Sequence, residues 1–174
     1  MKVYVRKATI LDLDQIEKII EDGKRYLQAQ GSPQWQNGYG PTREKIQADI
    51  ERKESYVMLV EGVIAGVAAL VSGVDPVYTA ISGGSWQENS AESYLSVHRV
   101  AFNQELRGQG YAKLFMQLLV TVAATIGCRD LRIDTHEMNQ IMQKVILGAG
   151  FTYQGEIEFP MPNGERRAYQ IILE

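Results

Sequence analysis

Arg107-Gly108-Gln109-Gly110-Tyr111-Ala112 is the segment of this 174-residue chain best suited to holding a charged ligand. It sits between a run that alternates like a strand and a run that repeats like a helix. Two glycines without Cβ let the main chain approach a ligand closely, and the first turn of a helix presents unpaired N–H groups with partial positive charge. Together they bind phosphate. A dinucleotide fingerprint would need Gly or Ala where the chain has Lys113, and a nicotinamide enzyme would carry it after its first strand. A P-loop would need Gly-Lys-Ser/Thr, which does not follow. A plain glycine turn feeding a helix and a loop for a pyrophosphate both remain.

His98 is the first candidate for a base, because an imidazole with an ordinary pKa of about 6.5 suits proton removal near neutrality. Strand alternation puts Tyr94, Ser96, His98, Val100 and Phe102 on one face. The alternative is a hydrogen-bonded sheet histidine. His136 follows an apolar run and precedes Asn139, which fits a capping or phosphate-side role better than catalysis. Asp134 and His136 lack a third partner, so no metal site is expected. Trp35, Tyr39 and Trp86 lie in two long loops, either as an aromatic wall for a cationic ligand or as lids over the core. Glu88 and Glu92 either attract a cation or are simply solvated. The lone cysteine, Cys128, reads as a small half-buried apolar residue in a reducing compartment.

The elements that must position these groups belong to one domain over residues 1–174, as the length implies. Hydrophobic residues at 45% and charged residues at 22% exclude a disordered chain. Eighteen Lys and Arg against 21 Asp and Glu leave a charge of −3, which gives no basic excess for nucleic acid. No signal peptide or membrane span is recognised, so a cytoplasmic location and no membrane partner are expected.

Strands are expected at Val3–Ala8, Tyr56–Glu61, Val63–Ser72, Tyr94–Phe102, Leu131–Thr135, Phe151–Phe159 and Arg167–Leu173. Helices are expected from Thr9 to Gly31, from Thr42 to about Glu54, over Tyr111–Ile126 and over Met138–Ala149. Thr9 with Asp12 forms a capping-box-like start, and Asn163-Gly164 is a hairpin turn. The polar stretch 73–93 reads as a flap. This order implies a mixed α/β (α+β) fold with a central sheet flanked by helices. Open sheet edges are compatible with a homodimer.

Arg107-x-x-Gly110-x-Ala112 resembles the Arg/Gln-x-x-Gly-x-Gly/Ala signature of the GNAT superfamily of N-acetyltransferases. Val100-Ala101-Phe102 looks like the end of that family's fourth strand, Asn139 sits in its post-strand helix, and Gly150-Phe151 resembles its Gly-Phe ending. The resemblance covers essentially the whole chain. It implies a splayed, mostly antiparallel sheet with acetyl-CoA as cofactor. Main-chain groups of Val100 and Phe102, flanking Ala101, would pair with the pantetheine arm. Amides from Arg107 through Gly108, Gln109, Gly110 and Tyr111 to Ala112 would hold the pyrophosphate, and Asn139 would reach the cofactor.

The implied reaction is direct attack of an amine, of a small molecule or a protein, on the thioester. His98 is similar in placement to a histidine base in arylalkylamine N-acetyltransferases. The position of the family's usual tyrosine acid is Ile146, which leaves Tyr153 or Tyr169 as substitutes, and which favours the rival reading of a non-catalytic CoA-binding sensor or interaction module.

Overall fold

The computed structural model describes residues 1–87 and 93–174, so Glu88 and Glu92 lie outside the described residues. The strands are β1 (Val3–Lys7), β2 (Ser55–Val60), β3 (Val63–Ser72), β4 (Leu95–Phe102), β5 (Asp130–Thr135), β6 (Thr152–Glu158) and β7 (Glu165–Ile172). The helices are α1 (Leu13–Ala29), α2 (Arg43–Glu51), α3 (Tyr111–Thr125) and α4 (Gln140–Gly148), with 3-10 turns at Ile10–Asp12, Pro76–Thr79 and Gln104–Leu106. The strands form one sheet in the order β1-β2-β3-β4-β5-β7-β6, in which only β4 and β5 run parallel.

Local chemistry sets the boundaries. The Thr9 amide donates to the Asp12 carboxylate at 2.7 Å, and Arg6 holds the same carboxylate with two hydrogen bonds, which fixes the entry to α1. Helix α1 buries Leu13, Ile16, Ile19, Ile20 and Leu27 along one stripe. Helix α2 ends short of the expected Glu54 because Lys53 takes a left-handed φ of 58°, and the Lys53 and Glu54 amides turn back onto Ile50 and Asp49. Helix α4 starts at Gln140 rather than Met138, because His136 Nδ1 accepts the Met138 amide and Asn139 caps the helix. In the β6–β7 turn a Cβ on Gly164 would stand 2.1 Å from the Phe159 carbonyl oxygen, so glycine is required there.

Helices α3 and α4 cover one face of the sheet, where Phe115, Leu119 and Ile146 meet Met58, Leu70, Val97, Leu131 and Ile133. The other face is covered in two parts. Ile16, Ile20, Ile46 and Ile50 of α1 and α2 pack on Val57, Leu59, Val67 and Ala101. Farther along, Tyr78 and Tyr94 pack on Ile157 and Ala168. The stretch expected to be a flap is, as far as Gln87, a fixed cover: Tyr78 is fully buried, Ser82 bridges Glu156, and Gln87 is hydrogen-bonded to Gln170. Among the described residues, no helix is long and apolar enough to cross a membrane.

Two irregularities open the centre of this structure. Strands β4 and β5 pair only from Leu95–Leu131 to Val97–Ile133, while β4 stays on β3 through Phe102. Beyond Val97 the two parallel strands therefore part. On its other side β4 bulges: Ala69 pairs with His98 and Val67 with Ala101, so Ala68 opposes both Arg99 and Val100. The bulge corrects the alternation expected from the sequence. His98 shares its face with Ala101, while Val100 and Phe102 pass to the α3 side, where Phe102 meets Phe115 edge-on at 6.4 Å.

Candidate active site

Where β4 and β5 separate lies a cavity of about 650 Å³, bounded by the α1–α2 loop, the end of β4, the start of α3 and the β5–α4 turn. Such a volume suits a small-molecule site. Its lining includes His98, Val100, Ala101, Phe102, Arg107, Gly108, Gly110, Tyr111, Ala112, Asn139, Trp35 and Tyr39. Sequence-selected residues from four stretches of the chain thus meet at one opening. Gln109 and Trp86 do not line it.

One half of the cavity is built from main chain. Gly108 and Gly110 adopt φ of 80° and 81°, and Gly110 occupies the N-cap of α3 in the left-handed region. No side chain caps this helix and no acidic residue occupies its first turn. The amides of Gly108 to Lys113 have no acceptor within the described residues, and the first intrahelical bond is that of Leu114 to the Gly110 carbonyl. Unpartnered donors at a helix N-terminus fit a pyrophosphate. Arg107 stacks its guanidinium over the Tyr26 ring at 3.8 Å beside them.

The free edge of β4 continues this half. The Asn103 amide donates to Ala65 on the β3 side, so by alternation the main-chain groups of Phe102, and of Val100 two residues earlier, face the gap that β5 has left. Asn139 spends its side-chain oxygen on the Met142 amide at 3.2 Å, which leaves its amide donors for the cavity. The bulge is held from behind: Arg99, at φ 54°, sends its side chain to the buried Asp49 of α2, with Nη2 at 2.7 Å from the carboxylate. A left-handed non-glycine residue costs about 1–3 kcal/mol, which this charged clamp offsets.

The other half is built from side chains. His98 Nε2 lies 2.7 Å from Asp75 Oδ2, and both side chains are 17% exposed. Asp75 is itself fixed: its other carboxylate oxygen accepts the Val77 amide at 3.0 Å, and its own amide donates to the Tyr94 hydroxyl at 2.7 Å. Burial pushes the Asp75 carboxyl up, but the hydrogen bond and charge of His98, with the Val77 amide and the Arg99 charge, together leave it below the ordinary carboxylate value.

Asp134 accepts a hydrogen bond from the Tyr78 hydroxyl at 2.7 Å. Burial raises the Asp134 carboxyl, against opposing contributions from His98, the Tyr78 bond and Arg166. The Tyr78 hydroxyl is pushed well above its ordinary value, first by burial and then by Asp134. Two carboxylates near one histidine are thus driven in opposite directions.

Other sequence candidates fall elsewhere. Trp86 is corrected from a cavity wall to a cover: it packs on Tyr78 with ring centroids 5.3 Å apart and donates its indole N–H to the Tyr78 carbonyl. His136 is buried at the β5–α4 turn, outside this cavity, with its pKa lowered first by burial. Ile146 is fully buried in the core, Tyr169 is buried and Tyr153 bonds Glu156 on the surface; none lines the cavity. No group of His, Cys, Asp and Glu suited to a metal occurs among the described residues. Asp75, Asp49, Arg99 and Arg166 were not found from the sequence. The Pro76 that follows Asp75 marks a helical turn start, which was the available signal for Asp75.

A family model described as Acetyltransferase (GNAT) family matches residues 21–151. This chain belongs to the GNAT acetyltransferase family. As a GNAT acetyltransferase it is an acyl-transfer enzyme, and acetyl-CoA is its acyl donor. The structure of a GNAT-family acetyltransferase from Streptococcus agalactiae is similar at a TM-score of 0.91 and 34% identity, covering 99% of this chain and 96% of that one. An aminoglycoside acetyltransferase in complex with coenzyme A is similar in fold at a TM-score of 0.69 and 18% identity, covering 98% and 95% of the two chains. A ribosomal L7/L12 alpha-N-protein acetyltransferase in complex with coenzyme A is similar at a TM-score of 0.70 and 19% identity, covering 99% and 95%. No curated protein matches the chain.

Proposed function

We propose that this GNAT acetyltransferase transfers the acetyl group to a primary amine, of a small molecule or a protein, by direct attack on the thioester with His98 as base. The observation that carries this reading is that His98, which lines the cavity at the β4–β5 gap, is held from behind by Asp75. When Nε2–H is donated to Asp75, Nδ1 keeps its lone pair for the proton of the incoming amine. Asp75 orients the ring and stabilises it once protonated.

Acetyl-CoA supplies an acyl thioester whose thiol, with an ordinary pKa of about 8.5, departs without a general acid. The amides of Gly108 to Ala112 hold the pyrophosphate, and the exposed edge of β4 from Val100 to Phe102 aligns the pantetheine. Main-chain donors beside the Arg99 bulge polarise the thioester carbonyl. Trp35 and Tyr39 shield the opening from water. Juxtaposing amine and thioester in this way supplies about 7–11 kcal/mol, which compensates for the acid missing at Ile146.

Coenzyme A release measured over a panel of primary amines tests the reading. His98→Gln should lower kcat/KM about 10²–10⁴-fold and remove the histidine-dependent acidic limb of the pH profile. Its acetyl-CoA affinity by calorimetry should stay unchanged. An unaltered kcat/KM in the variant would dismiss His98 as the base.

A further inference from the structure

Arg166 on β7 is a charged group of the cavity that the mechanism above does not use. It is 6% exposed, yet no carboxylate among the described residues stands within ion-pair distance of it. The other buried arginine, Arg132, is paired with Asp130 at 2.9 Å, and the well-covered Arg99 is held by Asp49. Arg166 instead donates through Nη1 to two main-chain oxygens, of Asn163 at 2.7 Å and Glu165 at 2.8 Å. Nη2 and Nε have no hydrogen-bond partner among the described residues, and the guanidinium lies 5.6 Å from the centre of the Phe159 ring. An arginine stays charged when buried, so a guanidinium fixed by one nitrogen and free at two others is a fork awaiting an anion.

The sheet shows where that fork lies. Asp134 pairs with Ala168, and Arg166 is two residues from Ala168, so Arg166 and Asp134 are diagonal neighbours on one face. His98 occupies the same face of β4, and all three residues line the 650 Å³ cavity. Arg166 also borders a smaller groove of about 560 Å³, where Glu137, Glu156, Glu158 and Glu165 outnumber Arg166 and Arg167. That groove is acidic and repels anions, which leaves the main cavity as the side from which an anion reaches Arg166.

We propose that the acceptor is a small amino acid: a primary amine whose own carboxylate pairs with Arg166, while its ammonium group is received by Asp134 and delivered to His98. This rests on the amine-acetylating reading above and names its substrate class. The opposed charges of Asp134 and Arg166 match a zwitterion, and a planar carboxylate fits the two free guanidinium donors side by side. Amines without an anion would leave Arg166 buried and unpaired, and the site discriminates against them for that reason.

Coenzyme A release is measured with the full chain, acetyl-CoA and each proteinogenic amino acid beside its methyl ester, its decarboxylated amine and its aminophosphonate analogue. The best amino acid should exceed its ester and its amine in kcat/KM about 10²-fold, through KM. Arg166→Gln should erase that preference by raising KM for the acid while leaving the ester unchanged, and Arg166→Lys should restore part of it. Equal rates for acid and ester, or a loss in Arg166→Gln that falls equally on both, overturns the proposal. An aminophosphonate preferred over the amino acid overturns the carboxylate and keeps the anion fork. Absence of coenzyme A release with every amine sinks the amine-acetylating reading instead. Calorimetry of the same amino acids with the coenzyme A-saturated protein then decides alone: binding lost in Arg166→Gln supports the carboxylate site, and no binding to the wild type overturns it.

Discussion

The two halves of the cavity, proposed above for the donor and the acceptor, are built from different materials. The donor half, from the edge of β4 through Gly108 and Gly110 into α3, presents main-chain amides from one short stretch of sequence. The acceptor half assembles side chains from separate elements: His98 meets Asp75 across 23 positions, and Tyr78 meets Asp134 across 56. A main-chain site is written locally, because a helix start and two left-handed glycines suffice. A side-chain site depends on which strands the fold makes neighbours. One family can therefore keep its donor and change its acceptor.

The largest effect should come from breaking the donor half at its backbone. Gly110 sits at φ 81° with nothing within 4 Å of where a Cβ would stand, so the strain of a substitution there is one of backbone conformation. Gly110→Val should pull the loop out of the left-handed region and re-aim its amides. Acetyl-CoA affinity should fall about 10²-fold, the loss of one or two charge-assisted hydrogen bonds. Calorimetry on protein shown to be folded by circular dichroism checks this. Unchanged affinity would mean that side chains, rather than main chain, hold the donor.

The same contrast explains what could be read from the sequence. The Arg107–Ala112 loop was legible because its chemistry is contiguous, and the strands and helices because their periods are regular; Asn139, singled out through the family resemblance as a helix residue, caps α4 instead. The faces of β4 were not. The bulge at Arg99 adds one residue against Ala68, and no periodic pattern announces it, so plain alternation puts His98 and Phe102 on the same face when they lie on opposite ones. Trp86 looked like a pocket residue because a tryptophan in a polar stretch has no local signal for the buried tyrosine it covers. Arg166 was hidden for a different reason: an arginine near the end of a hairpin is ordinarily solvated, and only the packing of β7 against β5 and β6 buries it.

A smaller effect should follow from removing the charge, but not the shape, on the acceptor side. Asp75→Asn keeps an oxygen to accept the His98 N–H and loses the carboxylate that stabilises a protonated ring. We expect kcat to fall about tenfold, less than the 10²–10⁴-fold that losing a general base itself costs, with acetyl-CoA affinity unaltered. Steady-state kinetics beside calorimetry would show it. An equal loss in acetyl-CoA affinity would mean that the two halves are not separable.

The smallest effect is one of stability, and it contrasts two carboxylates within the acceptor half. The Asp75 carboxyl lies below its ordinary value of 3.8 in the folded protein, so the native state releases its proton more readily than the unfolded chain. Its stabilisation is complete above that ordinary value and is lost as pH falls through the folded one. The Asp134 carboxyl lies above 3.8 because burial disfavours its charge, so the native state holds the proton more tightly. Its contribution therefore runs the other way: stability declines as pH rises from 3.8 through the folded value, and the full cost is present at neutrality. Asp134→Asn keeps an acceptor for the Tyr78 hydroxyl and removes that cost. At pH 7 the variant should be more stable than the wild type by about 1 kcal/mol, and Asp75→Asn less stable by a similar amount. Both differences should shrink toward zero on acidification, from opposite sides. Urea midpoints taken from pH 7 downward measure them, and two differences of the same sign would show that the acceptor half does not hold its carboxylates in opposed states.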